Sequence, residues 1–330
     1  MSRHPRYPAY RDSGIAWLGA IPAGWGVKRL KYHAGITFSN VDKHSIEGEL
    51  SIYLCNYVDV YKNDFINASI EFMQATASAD EIARFALRRG DVIITKDSES
   101  WQDIAIPAYV EADLDGVLCG YHLALIRRNS NRLDGRYLFR ALQSNVINYQ
   151  FATAATGITR YGLGKNAIDN GLIPLPPLPE QQAIAAYLDA ATARIDALVA
   201  HKQQLIALLH ERRTALISHA VTRGLDPSAP LRDSGIAWLG AIPAGWGVKR
   251  LKYVAVGLLQ YGANEVADSD DPDNPRYIRI TDIDESGALR EDTFRTLDKV
   301  VAKPYMLDDG DLLFARSGAT VGKQFSIDES

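Results

Sequence analysis

Residues 11–32 read RDSGIAWLGAIPAGWGVKRLKY, and residues 232–253 repeat those letters without a change. The offset is 221 positions, 232 against 11. A second pair of landmarks follows: Leu87-Arg-Arg-Gly90-Asp91-Val-Ile-Ile and Leu307-Asp-Asp-Gly310-Asp311-Leu-Leu-Phe lie 220 positions apart. Between these anchors the copies diverge. A duplicated scaffold with two different variable segments suits a chain that reads two different things with one architecture.

At 330 residues the chain is long enough for two or three domains, each with its own core. A hydrophobic content of 47% and a charged content of 23% are ordinary for a globular protein. Cys55 and Cys119 are its two cysteines, too few for a disulfide framework or a CxxC metal site, so a reducing cytoplasm is expected. The N-terminal MSRHPRYPAYRDSG has no apolar core of a signal peptide, and no apolar run approaches the ~20 residues of a membrane span. The formal charge of −4 argues weakly against a lone nucleic-acid binder, because a local basic face or a basic partner supplies phosphate contacts as well.

The repeated stretch places Trp17 and Trp25 among Gly and Pro, a lead-in segment whose rings are expected to dock on a core. Ser51–Val58, Asp91–Thr95, Ala105–Val110 and Gly120–Ile126 are rich in β-branched, aromatic and other apolar residues and predict strands. The spacing of Leu138, Ala141, Leu142 and Val146 predicts a helix over Tyr137–Tyr149, so the domain reads as α+β. Pro174, Pro176, Pro177 and Pro179 then force an extended connector. From Glu180 the positions Ile184, Leu188, Ala191, Ile195, Leu198, Lys202, Leu205, Leu209, Arg212 and Leu216 alternate steps of 4 and 3. All but Lys202 and Arg212 are apolar, which is a coiled-coil seam. A helix from Glu180 to Val221 would run about 63 Å, ended by Gly224, Pro227 and Pro230. The second copy matches only residues 11 to about 110 of the first, so the expectation is a chain truncated within its second variable domain, with 232–330 unstable in isolation.

The repeated lead-in, Gly90-Asp91-Val-Ile-Ile with Gly310-Asp311-Leu-Leu, and the exit IPLPPLPEQQAIAAYLD into a heptad helix together resemble the specificity subunit of type I restriction–modification systems. The resemblance implies an α+β chain of two target-recognition domains of mixed α/β structure, joined by a long coiled-coil-type helix, the second domain incomplete. The boundaries are 1–175 for the first recognition domain, 176–224 for the proline connector and spacer or dimerisation helix, 225–231 for a linker, and 232–330 for the partial second domain. It further implies a non-catalytic, DNA-binding, cytoplasmic targeting subunit for DNA methylation and defence against foreign DNA. Its partners would be double-stranded DNA, two modification (methyltransferase) subunits and a restriction/translocase subunit. S-adenosylmethionine, ATP and Mg2+ would sit on those partners, with no cofactor or metal in this chain.

Reading bases takes hydrogen-bonding, cationic and aromatic side chains. Two stretches supply them in the first copy: Lys96, Ser98, Ser100 and Trp101, and Arg160, Tyr161 and Lys165. Arg316, Ser317, Thr320 and Lys323 are the counterpart of the first of these in the second copy. The same composition also suits ordinary solvated loops. The seam reads as subunit packing. Glu180, Gln181 and Gln182 suit either capping of the helix or docking of a modification subunit. Neither a GxGxxG after a strand nor a GxxxxGK[ST] occurs, His residues lack ligand spacing, and DSDDPD at 268–273 lacks the Gly and terminal Glu of a calcium loop. Four alternatives stay open: a half-subunit that pairs through 180–222 to read a symmetric site, an inactive truncated product, a standalone methyltransferase or nuclease, and a scaffold without DNA affinity.

Overall fold

The structure is a computed structural model that describes residues 7–257, 259–266, 268–284, 288–318 and 321–327. It divides into two compact units, Met1–Arg212 and Arg213–Ser330, with the division inside the long helix. Each is described by itself.

In the first unit the repeated lead-in forms an antiparallel hairpin of β1 (Tyr10–Asp12) and β2 (Ala20–Pro22), followed by β3 (Gly26–Arg29). Ile21 is buried, but Trp17 stays exposed at the hairpin's turn, so only part of the expected aromatic docking is realised. Next come β4 (Ala34–Phe38), β5 (Leu50–Cys55), α1 (Tyr57–Lys62), β6 (Phe65–Ile66), β7 (Met73–Ala77) and α2 (Ala79–Phe85). The chain continues through β8 (Val92–Thr95), β9 (Asp97–Ser98), β10 (Pro107–Val110), β11 (Val117–Cys119) and β12 (Leu123–Arg128). It ends with α3 (Gly135–Leu142), α4 (Asn145–Ala154), β13 (Tyr161–Gly162), α5 (Lys165–Asp169), β14 (Leu172–Leu175) and α6 (Leu178–Arg223).

Two sheets carry this unit, one of five strands in the order β4-β12-β8-β10-β6 and one of three in the order β11-β5-β7. The five-stranded sheet is buried on both faces, which is why its central strands read as unbroken apolar runs. Successive side chains point to opposite faces of a strand. Thus Val92 and Ile94 of β8, with Ala124 and Ile126 of β12, enter a core shared with α3, α4 and α5. Their neighbours Ile93, Leu123 and Leu125 enter a second core with Ile52, Leu54 and Leu118 of the smaller sheet. Gly90 of the repeated landmark takes φ +94°. That turn lets the buried Asp91 carboxylate accept from Arg88 N–H (2.8 Å) and pair with Arg127 (2.6 Å).

The helix expected over Tyr137–Tyr149 is two. Ser144, with ψ 123°, is extended and separates α3 from α4. The break gives each helix its own apolar face: Tyr137, Leu138, Phe139 and Leu142 on the first, Ile147, Phe151 and Ala152 on the second. Strand β5 likewise stops at Cys55, because Asn56 opens α1 with a capping box to Asp59.

The proline stretch is not a free connector. Strand β14 pairs antiparallel with β3, Leu172 opposite Arg29 and Leu175 opposite Gly26, and Leu30 N–H donates to Gly171 C=O (2.9 Å). Pro174 is tolerated because the ribbon has only two strands. Helix α6 starts at Leu178, two residues before the expected Glu180, and ends at Arg223, with Gly224 at φ +76°. Its root is fixed by Gln181, which is fully buried. The Gln181 side-chain oxygen accepts from Asp134 N–H (2.9 Å), and its NH2 donates to Arg132 C=O and Pro176 C=O (2.8 Å each). Two turns on, Asp189 takes Arg140 (2.8 Å) and Arg136 of α3, and Thr192 accepts from Arg140 (3.0 Å).

The second unit repeats the hairpin as β15 (Leu231–Asp233) and β16 (Ala241–Pro243). Its turn bonds repeat too: Ser234 N–H to Gly240 C=O matches Ser13 to Gly19, both 3.0 Å. The identical Gly247–Arg250, however, forms no strand. Leu251 is 51% exposed where its twin Leu30 is 0%. Further on are α7 (Lys299–Ala302), β17 (Leu312–Phe314) and β18 (Gln324–Ser326), and Gly310 repeats the positive φ of Gly90 at +85°. Among the described residues of this unit the buried hydrophobic side chains are Ile242, Ile283, Leu297 and Ala302.

Gln181→Leu leaves one N–H and two carbonyls buried without partners, so it should lower the unfolding free energy of the chain by about 3 kcal/mol. Urea titration with a signal from the first unit measures this.

Candidate nucleic-acid interface

The two loop stretches singled out in the first copy meet. Strand β9 pairs antiparallel with β13, Ser98 opposite Tyr161 and Asp97 opposite Gly162. The ribbon is tied to the core sheet through backbone. Lys96 N–H donates to His122 C=O (3.1 Å), and Leu163 N–H donates to Lys96 C=O (2.7 Å). The loop 156–162 closes on itself, Thr156 N–H to Gly162 C=O (3.0 Å) and Gly162 N–H to Thr156 C=O (2.8 Å). Gly157 makes that closure possible. It sits at φ +143°, and a β-carbon there would lie 1.9 Å from the Arg160 carbonyl oxygen.

At the ribbon's edge Asp97 gathers three basic side chains. Its Oδ1 pairs with His122 Nδ1 (2.8 Å) and Arg160 Nη2 (2.9 Å), and its Oδ2 with Lys96 Nζ (3.2 Å). Lys96 also lies over the Tyr121 ring (4.6 Å) and the Phe38 ring (5.6 Å). An aromatic rim adjoins them. Tyr57 and Tyr61, one turn apart on α1, stack at 5.7 Å. Tyr57 OH donates to Ser98 Oγ (3.1 Å), and Tyr61 OH donates to Asp103 (3.3 Å). Burial pushes the Tyr57 hydroxyl pKa up, which keeps it a neutral donor. Tyr61, Trp101 and Tyr121 are exposed, as is Ile158 at the loop tip.

The candidates therefore divide. Trp101, Arg160 and Lys165 are exposed, though Lys165 is paired with Asp169 (2.8 Å) in the first turn of α5. Lys96 and Tyr161 are half-buried. Ser98 is buried beneath Tyr57, and Ser100 Oγ accepts from Gln102 N–H (3.2 Å), so both hydroxyls serve the loop's own geometry. His122, Asp97, Tyr57 and Gly157 were not singled out from the sequence. They come from separate strand ends and loops that only the fold brings together. In the second copy Arg316 lies over Tyr261 (4.5 Å), Lys323 donates to Ile283 C=O (2.8 Å) and Ser317 is exposed, while Thr320 lies outside the described residues.

On the helix, Ile184 packs against the domain's own core, and Leu188 and Ala191 are half-buried, so the first seam positions face their own domain. Ile195, Leu198, Leu205, Leu209 and Leu216 are exposed. Among the three docking candidates Gln181 is withdrawn into the interior. Gln182 is exposed, and Glu180 accepts a hydrogen bond from Tyr7 OH, whose pKa that carboxylate pushes up to about 12. No helix among the described residues is long and apolar enough to cross a membrane, and no group of three or more His, Cys, Asp or Glu among them is placed to hold a metal ion.

A domain with a cationic and aromatic ribbon, rooted on a long helix with an exposed apolar stripe, has the make-up of a recognition module. Residues 45–208 match the family model described as the type I restriction modification DNA specificity domain, and the chain belongs to the family of type I restriction–modification specificity subunits. A Methanocaldococcus jannaschii protein assigned as the MjaX specificity subunit of a type I restriction enzyme is 24% identical over 71% of this chain and 53% of its own length. The Escherichia coli K12 EcoKI specificity subunit is 23% identical over 68% of this chain and 47% of its own. The crystal structure of the HsdS subunit from Thermoanaerobacter tengcongensis is 23% identical, with a TM-score of 0.44 over 65% of this chain and 53% of that one. The chain spans about half the length of these relatives.

Gly157→Ala should open the 156–162 loop, because the clash and the positive φ together cost about 2 kcal/mol. Hydrogen exchange at Thr156, Gly162 and Leu163 would quicken by about thirty-fold while the amides of β8 and β12 stay protected.

Proposed function

We propose that this chain is a sequence-reading component of a type I restriction–modification complex, binding double-stranded DNA and directing modification and restriction subunits to it. The observation that carries the reading is the ribbon of β9 and β13, which joins the two variable stretches with Arg160, Lys96, Tyr161 and Trp101 around one edge. Cations there suit phosphates and base edges, and exposed rings suit stacking or groove contacts. The chain would do no chemistry of its own, with S-adenosylmethionine, ATP and Mg2+ held by the partner subunits in the cytoplasm. Glu180 and Gln182, at the exposed side of the helix root, would face a modification subunit.

Methylome sequencing of cells that express the chain with its cognate modification subunits tests this. A new methylated motif is the expected outcome, split and asymmetric when two unlike readers act on one site. No new motif, with both proteins present, overturns the assignment.

The helix favours a second, compatible reading, in which two copies pair and read a split palindrome. Exposed Ile195, Leu198, Leu205, Leu209 and Leu216 follow a heptad spacing and want a partner of the same kind. Sedimentation should then show a concentration-dependent dimer that Leu205→Glu with Leu209→Glu reduces to monomer.

A further inference from the structure

We propose that Lys96, His122 and Arg160 form a site for one DNA phosphodiester, and that in the free protein the Asp97 carboxylate occupies it. The inference rests on the DNA-reading role above and deepens it: Asp97 becomes a specificity-determining residue. Three basic side chains converge on one carboxylate that is 16% exposed, with Oδ1 at ion-pair distance from His122 and Arg160 and Oδ2 accepting from Lys96. Arg160 Nη2 and His122 Nδ1 lie 3.4 Å from each other, close enough for one anion to meet both. A carboxylate and a phosphodiester each present one negative charge on two free oxygens, so the same donors serve either.

The cluster does not depend on Asp97 for its shape. Backbone bonds from Lys96 to His122 and from Leu163 to Lys96, with the β9–β13 ladder, set the positions of the three loops. Lys96 is further held by the Tyr121 and Phe38 rings. Removing the carboxylate therefore leaves the donors in place and without an anion. Arg160 is half-exposed, so it can follow a phosphate while its loop stays closed by Gly157. In this arrangement any duplex must displace Asp97 before it gains the phosphate contact. The displacement discourages binding to arbitrary sequence and leaves the matched site, with its base contacts, to make up the difference.

The test is binding of the full chain to a labelled mixed-sequence duplex across a potassium chloride series. Asp97→Asn should bind about ten-fold more tightly at low salt, and its plot of log affinity against log salt should steepen by about one, since each added phosphate contributes about 0.9. Arg160→Gln added to Asp97→Asn should reverse most of that gain. Thermal melting matched to the parent chain shows that the variants fold. An unchanged slope in Asp97→Asn, a gain that survives Arg160→Gln, or no duplex binding by any form overturns the phosphate site. A new methylated motif together with an unchanged slope removes the site and leaves the DNA-reading role standing. A steeper slope without any methylated motif leaves the site standing and removes the role.

Discussion

One buried amide holds the first unit in its shape. The Gln181 side chain reaches out of the first turn of α6 and satisfies the Asp134 N–H and Arg132 carbonyl at the start of α3 and the Pro176 carbonyl within the proline stretch. A side-chain amide offers both donors and an acceptor, so one residue closes three backbone groups that would otherwise be buried without partners. Strand β14 can then lie against β3, and α6 leaves the domain in one direction. Asp189, bound by Arg136 and Arg140, extends the grip by two helical turns. Helix and recognition surface thus form one body up to that level. Beyond it the apolar stripe faces solvent.

The repeat separates what a sequence does alone from what its surroundings do to it. In both copies the same letters build the same hairpin, down to the arginine that donates to the tryptophan carbonyl, Arg11 to Trp25 and Arg232 to Trp246. These are contacts within a short stretch, and identical residues make them twice. Beyond the hairpin the copies part. Leu30 is sealed because Gly171 and β14 lie over it, whereas among the described residues no such strand lies beside Leu251, which stays open. Burial belongs to the partner more than to the leucine.

Much of the scaffold was legible for the same reason. The apolar runs at 92–95 and 123–126 have few alternatives to buried strands, and the heptads after the proline stretch have few alternatives to a long helix. The single helix expected over Tyr137–Tyr149 failed because spacing cannot show that Ser144 turns the chain so that two faces reach the core. Gln181 read as a capping or docking residue since two of its three partners, Asp134 and Arg132, are far away in sequence. The candidate interface was half legible. Lys96 and Arg160 carried the signal of composition, but Asp97 and His122 gained their meaning only when loops separated in the sequence were brought into ion-pairing range. Ser98 and Ser100 shared the composition of base readers and turned out to be committed to Tyr57 and to a helical turn.

The pairing of β3 with β14 has a consequence for how such a chain changes over time. The two ends of the variable region return to one spot and are bonded there mainly through backbone, Leu172 to Arg29 and Leu175 to Gly26. Backbone bonding is indifferent to most of what lies between. The region from about 30 to 171 therefore behaves as a cassette. Its sheets, loops and reading edge can be exchanged together, provided that the incoming segment again offers backbone groups to Gln181 and basic partners to Asp189.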